Sequence, residues 1–188
     1  MSSSYGHLPE DLPIPVDDGG ADHLPGSVVP HVRLLSTLGG EVDLADAAQD
    51  GVVVYVYPRT GKPGEPLPPG WDDIPGARGC TPQSCSFRDH VEELRAYGTG
   101  VIGISAQQPD DQREFAEREH IPYPLLSDSS LELADAMGLP VFEVAGMRLY
   151  RRLTFIARSG SVEKVFYPVF PPDRNVEEVL AWLATQAT

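Results

Sequence analysis

The chain has only two cysteines among its 188 residues. With five scattered histidines they offer no four-ligand cluster for zinc, and a Cys-x-x-Cys pair is absent. Basic residues are also short: 14 lysines and arginines face 28 aspartates and glutamates, a formal net charge of −14. Such a surface repels phosphate backbones, which excludes nucleic acid as an expected partner and favours small molecules or other proteins. No apolar run reaches the roughly 20 residues of a bilayer span, so no membrane partner is expected. The opening MSSSYGHLPEDLPIPVDD lacks the basic-then-apolar pattern of a signal peptide, which makes the cytoplasm the expected location. No internal repeat is found.

Proline and glycine, in contrast, are plentiful and unevenly placed. Residues 1–26 are polar, acidic and rich in both, and read as a poorly packed N-terminal arm. Residues 27–188 read as one domain, long enough to bury a full core. Within it, VVPHVRLLSTLGGEVDLAD reads as two short strands turning at Gly39–Gly40, an N-terminal β-hairpin. GVVVYVYP is a continuous β-branched and aromatic run stopped by Pro58, the pattern of a strand buried on both faces.

Residues 59–79 have no hydrophobic period and form a long Pro/Gly-rich loop. PQSCSFRDHVEELRAYG then places Phe87, Val91, Leu94 and Tyr97 at helical spacing up to Gly98. GVIGIS is a second buried strand, PDDQREFAEREHI a charged helix, YPLLSD a short strand and SLELADAMGL another helix. RLYRRLTFIARSGSVEKVFYPVF gives a hairpin around Ser159–Gly160, and NVEEVLAWLATQ a closing helix with Asn175 as its cap. That order of elements is an α/β layer architecture, a central mixed sheet flanked by helices.

Both cysteines fall in GARGCTPQSCSFRD. Pro82 lacks an N–H and suits the first helical position, which makes Thr81 the expected cap, with Cys80 just before it and Cys85 in the second turn. If the helix begins before Cys80 instead, five helical steps separate the two Cα atoms by about 8.6 Å. A disulfide needs less than roughly 7 Å, so the first turn would then have to unwind. In both cases Cys80 sits at the positive end of the helix dipole, where a thiolate is stabilised, with Arg78 and Arg88 nearby. Cys80 is therefore the better nucleophile. The competing reading is a pair of buried, inert thiols.

From about Val28 to Leu183 the chain resembles the peroxiredoxins, in particular their bacterioferritin-comigratory (Q-type) branch. VVVYVYP, GCTPQSCSFRD, GVIGIS, LLSDSSLELADAMGL and RRLTFIARSG carry the resemblance, in family order. It implies a thioredoxin-like fold and thiol peroxidase activity with no metal or organic cofactor. By the same resemblance Cys80 matches the peroxide-attacking cysteine and Cys85 the resolving one, the pair closing an intramolecular disulfide. Arg152 matches the arginine that supports thiolate and peroxide, and strand alternation sends its neighbour Arg151 to the opposite face. Pro58 matches the proline that shields the pocket.

The sequence departs from the family at Ala77, where a threonine or serine hydroxyl is expected. Thr60 and Thr81 are the candidates to supply that hydroxyl. The implied partners are a hydroperoxide and a thioredoxin-like dithiol reductant, with the chain a monomer or weak homodimer. A thiol–disulfide oxidoreductase with little peroxidase activity and a non-enzymatic redox sensor are the other readings. Trp71 and Phe142 are expected outside the main core, Trp71 either covering the site or anchoring the loop. Asp128 is expected to cap a helix, and GLPVFEVAGMRLYRR to form a partner surface or a covered loop.

Overall fold

The computed structural model describes residues 7–187. Nine strands and six α-helices follow in the order β1 (Arg33–Ser36), β2 (Glu41–Asp43), α1 (Leu44–Asp50), β3 (Val52–Val56), α2 (Cys80–Asp89), α3 (Val91–Ala96), β4 (Gly100–Ser105), α4 (Pro109–Arg118), β5 (Leu125–Ser127), α5 (Glu132–Met137), β6 (Val141–Val144), β7 (Met147–Tyr150), β8 (Leu153–Arg158), β9 (Ser161–Phe166) and α6 (Asn175–Gln186).

Seven strands form one mixed sheet in the order β2-β1-β5-β4-β3-β8-β9. The VVVYV run lies inside it, parallel to β4 and antiparallel to β8, with Val54 opposite Ile102 on one side and Phe155 on the other. Its alternation divides the core in two. Val52, Val54 and Val56 face a cluster completed by Leu44 and Ala48 of α1 and by Leu133 and Met137 of α5. Val53, Tyr55 and Tyr57 face Phe87 of α2, Leu94 of α3, Phe115 of α4 and Val179 and Leu183 of α6. Tyr55 stacks on Phe87 at a centroid distance of 4.8 Å, locking α2 to the sheet.

The N-terminal strand pair forms as expected, Leu34 opposite Val42. The turn at Ser159–Gly160 likewise joins β8 to β9. Several elements differ from expectation. The single helix read through Tyr97 breaks at His90, whose backbone leaves the helical region between α2 and α3. LADAAQD forms α1, capped by the Asp43 carboxylate on the Ala45 and Asp46 N–H groups. GLPVFEVAGMRLYRR folds into a separate hairpin, β6 with β7.

The described part of the arm is mostly exposed, Ile14 and Val16 at 69% and 83%, but it is not detached from the domain. Ala21 and Leu24 are buried in the first core cluster. Ile14, Pro15 and Val16 wall a cavity of about 180 Å³ together with Phe142, Arg151 and Arg152.

Candidate active site

Helix α2 begins at Cys80. Its cap is Gly79, held in the left-handed region at φ 109°. A Cβ there would lie 2.8 Å from Leu8 Cδ2 and from Pro172 Cγ, so glycine is required for space as well as for φ. Thr81 is thus a helical residue rather than the expected cap, and Pro82 occupies the third helical position. With no N–H on Pro82, the donors at this helix entrance that lack an intrahelical partner are those of Cys80 and Thr81.

Loop 59–79 folds back over this entrance. A short 3-10 turn, Trp71–Asp73, buries Trp71 against Leu67, Ile74, Ala77 and Leu149. Phe142 reaches the same cluster, 6.3 Å from the Trp71 ring. The cluster stands apart from the two main cores, and Trp71 does both things considered for it: it anchors the loop and lines the cleft at Cys80. That cleft is walled by Arg59, Gly61, Leu67, Trp71, Arg78 and Thr81, and its roughly 10 Å³ gives room for about one water molecule.

Arg152 is buried, 3% exposed. Its Nη2 donates to Cys80 Sγ at 3.2 Å and to the Ala77 and Arg78 carbonyls at 3.1 and 3.3 Å. Nε donates to the Gly76 carbonyl at 3.3 Å. Nη1 donates to Gln83 Oε1 at 2.6 Å, and Gln83 in turn donates to Asn175 Oδ1 at 3.1 Å. The Thr154 hydroxyl donates to the same oxygen at 2.7 Å. Asn175 is therefore the first residue of α6 and a buried tie, not the expected cap. The guanidinium is fixed on both sides of the sulfur, a geometry that holds positive charge against a thiolate. Arg151 points elsewhere, over the Phe142 ring at 5.8 Å.

Cys85 lies five residues further along the same helix and is half-buried. Its thiol donates to Glu119 Oε2 at 3.6 Å. Burial, with the Glu119 carboxylate adding to it and Arg88 opposing, pushes its pKa up to about 11. Both thiols are free. In an unbroken helix their Cα atoms stand about 8.6 Å apart, beyond disulfide reach, so bonding them requires α2 to unwind. Ser84 between them is pinned: Tyr55 donates to its hydroxyl at 2.9 Å and Tyr123 to its carbonyl at 2.7 Å.

The remaining candidates are placed as follows. Pro58 is buried, two residues beyond the end of β3. Thr60 is buried, but its N–H and hydroxyl engage Gln107 Oε1 at 3.0 and 3.3 Å, and it lines a different cleft from Cys80. Thr81 is buried and lines the Cys80 cleft. Asp128 caps α5, accepting from the N–H groups of Glu132 and Leu133 and from the Tyr150 hydroxyl. Gln83 and Glu119 were not anticipated. Gln83 falls one turn after Cys80 on the helix, a spacing that flags it only once the helix start is known; Glu119 carries no sequence signal. Among the described residues, His31, Asp43 and Asp46 form one group of potential metal ligands within 4.8 Å, at the surface, with Asp43 already capping α1.

A mixed sheet whose central strand leads into a cysteine at a helix entrance, with a buried guanidinium on the sulfur, defines a thioredoxin-like thiol protein. A profile of the redoxin family matches residues 24–180. Peroxiredoxin Bcp of Escherichia coli (strain K12) is 31% identical over 166 residues, covering 86% of this chain and 96% of that protein. The chloroplastic peroxiredoxin Q of Gentiana triflora is 32% identical over 158 residues, 84% of this chain; the match spans 65% of that longer protein. The crystal structure of peroxidoxin BcpB from Mycobacterium tuberculosis superposes with a TM-score of 0.70 at 28% identity, covering 87% of this chain and 98% of that one. The chain belongs to the redoxin family, in its peroxiredoxin Q/Bcp branch.

Proposed function

We propose that the chain is a thiol peroxidase in which Cys80 attacks a hydroperoxide and Cys85 resolves the product. The single observation that carries this reading is the Arg152 guanidinium 3.2 Å from Cys80 Sγ at the entrance of α2. The Cys80 thiolate attacks the near oxygen, the O–O bond breaks, and the leaving alkoxide or hydroxide takes a proton to become alcohol or water. Arg152 and the N–H groups of Cys80 and Thr81 stabilise the charge on the departing oxygen, donors worth a few kcal/mol each in the barrier. Thr81, which lines the cleft, offers a hydroxyl where Ala77 has none. Pro58 and Trp71 keep bulk water from the sulfur.

Cys80 is left as a sulfenic acid. Its condensation with the Cys85 thiol forms the disulfide and releases water, after α2 unwinds. A thioredoxin-like dithiol then returns both thiols by exchange. No step calls on a metal or organic cofactor. By its likeness to the E. coli relative, the location proposed for the chain is the cytoplasm.

Mixing reduced protein with hydrogen peroxide and with an alkyl hydroperoxide, then trapping with dimedone, tests the assignment. Cys85→Ser protein is expected to yield one sulfenic acid per chain; none in that variant overturns the roles given to the two thiols.

A further inference from the structure

Glu119, at the end of α4, is fixed from several directions. Arg118 Nη1 donates to its Oε1 at 2.6 Å, leaving Oε2 for the Cys85 thiol. Arg88 Nη1 donates to its backbone carbonyl at 2.6 Å, tying it to the last turn of α2. Arg118 is itself held by Glu114 at 2.8 Å and by the Gly61 carbonyl at 3.1 Å. The carboxylate therefore stays in place as long as α2 stays folded against α4.

We infer that Glu119 is a positioning residue for Cys85. It keeps that side chain a protonated thiol while α2 is folded, so that Cys80 alone meets peroxide, and it releases Cys85 when α2 unwinds. This inference rests on the peroxidase reading above. The chemistry balances without a further reagent. The S–S bond forms as the S–O bond of the Cys80 sulfenic acid breaks, and the hydroxyl leaves as water with the proton that Cys85 gives up.

The groups around Cys85 support this assignment. From α2 come Arg88 and Asp89, paired to each other at 2.9 Å. From the end of α4 comes Glu119, with Arg118 behind it. From the following segment comes Tyr123, whose hydroxyl burial holds well above its ordinary range. Glu119 alone among them accepts a hydrogen bond from the sulfur among the described residues. A carboxylate in that place favours the neutral thiol twice, by charge and by accepting its proton.

The test uses Cys80→Ser protein, in which Cys85 is the only thiol, and follows iodoacetamide alkylation against pH. Adding Glu119→Gln is expected to lower the titration midpoint by about one pH unit. The thiolate fraction at neutral pH then rises tenfold, but each thiolate is less nucleophilic, so alkylation speeds by about threefold. Glu119→Asp, which keeps the charge, is expected to remain near the parent midpoint. An unchanged midpoint in folded Glu119→Gln protein overturns the inference.

The infrared S–H stretch of Cys85 in Cys80→Ser protein decides the question without touching Glu119. A band shifted to low frequency by a carboxylate acceptor supports the inference, and a band at the free-thiol position overturns it. Neither readout involves peroxide, so failure of the peroxidase reading shows separately, as a two-cysteine protein that does not consume it.

Discussion

Arg152 Nη2 lies 3.2 Å from Cys80 Sγ, and the same guanidinium spans to Gln83, one helical turn beyond. One side chain just before β8 thereby fixes the charge at the sulfur and the first turn of the helix that carries it. Loss of this side chain is expected to do two things at once. Arg152→Ala removes a buried donor aimed at the reacting centre, which costs roughly a hundredfold or more in peroxide reduction. Arg152→Lys keeps a charge but not the planar fork that reaches Sγ and Gln83 together, and is expected to recover only part of the rate. Stopped-flow rates for both variants check this; equal rates for wild type and Arg152→Ala would remove the guanidinium from the chemistry.

Disulfide formation is expected to be limited by the bonds that pin α2. Tyr123→Phe deletes the hydroxyl that holds the Ser84 carbonyl and meets the Tyr55 hydroxyl, and that hydroxyl bonds neither sulfur among the described residues. Losing one neutral hydrogen bond is worth about 1 kcal/mol, so disulfide closure after a peroxide pulse should speed by about fivefold. Quenching with acid at intervals and separating reduced from oxidised protein gives that rate. No acceleration would mean that unwinding is already complete before the chemistry.

How much of this was legible in the sequence depends on the range of the interactions involved. The VVVYV strand was, because a continuous β-branched run has few alternatives to a central position. The hairpin at Ser159–Gly160 was, because its turn is local. Helix α2 was legible but its start was open between two positions, because Pro82 fits the first and the third helical positions alike. What decides between them is Gly79, whose left-handed turn is packed by Leu8 and Pro172, from opposite ends of the chain. The break at His90 was hidden because Phe87, Val91, Leu94 and Tyr97 keep helical spacing across it. Asn175 has a cap's composition, but its amide is claimed by Gln83 and Thr154, contacts no local pattern reports. Glu119 was invisible for the same reason.

Gly79→Ala should destabilise the helix entrance. The backbone there costs an L-residue about 1–3 kcal/mol, before the overlap with Leu8 and Pro172 is counted. A lowered unfolding midpoint in urea, with slower peroxide reduction, is the expected pair of outcomes. A variant as stable and as active as the parent would show that this cap does not define the site.

Alkaline pH is expected to weaken the reduced protein, and the sign follows from which form is favoured in the fold. Cys85 is raised from 9.0 to about 11, so its contribution is full below pH 9 and is lost as pH climbs through 11. Burial also raises Tyr55 and Tyr57. For Tyr167, burial and then the Asp18 carboxylate raise the phenol from 10.0 to about 12, a contribution lost between those values. Urea unfolding from pH 8 upward should show the decline, and Cys85→Ser should delete its earliest part. An identical pH profile in that variant would contradict the environment assigned to the thiol.

The most direct measurement is peroxide consumption by the reduced protein in a stopped-flow instrument, with Cys80→Ser and Cys85→Ser run beside it. Wild-type protein is predicted to consume peroxide far faster than free cysteine, Cys85→Ser to match that first turnover and stop, and Cys80→Ser to do nothing. A wild-type rate no greater than that of free cysteine would contradict the account.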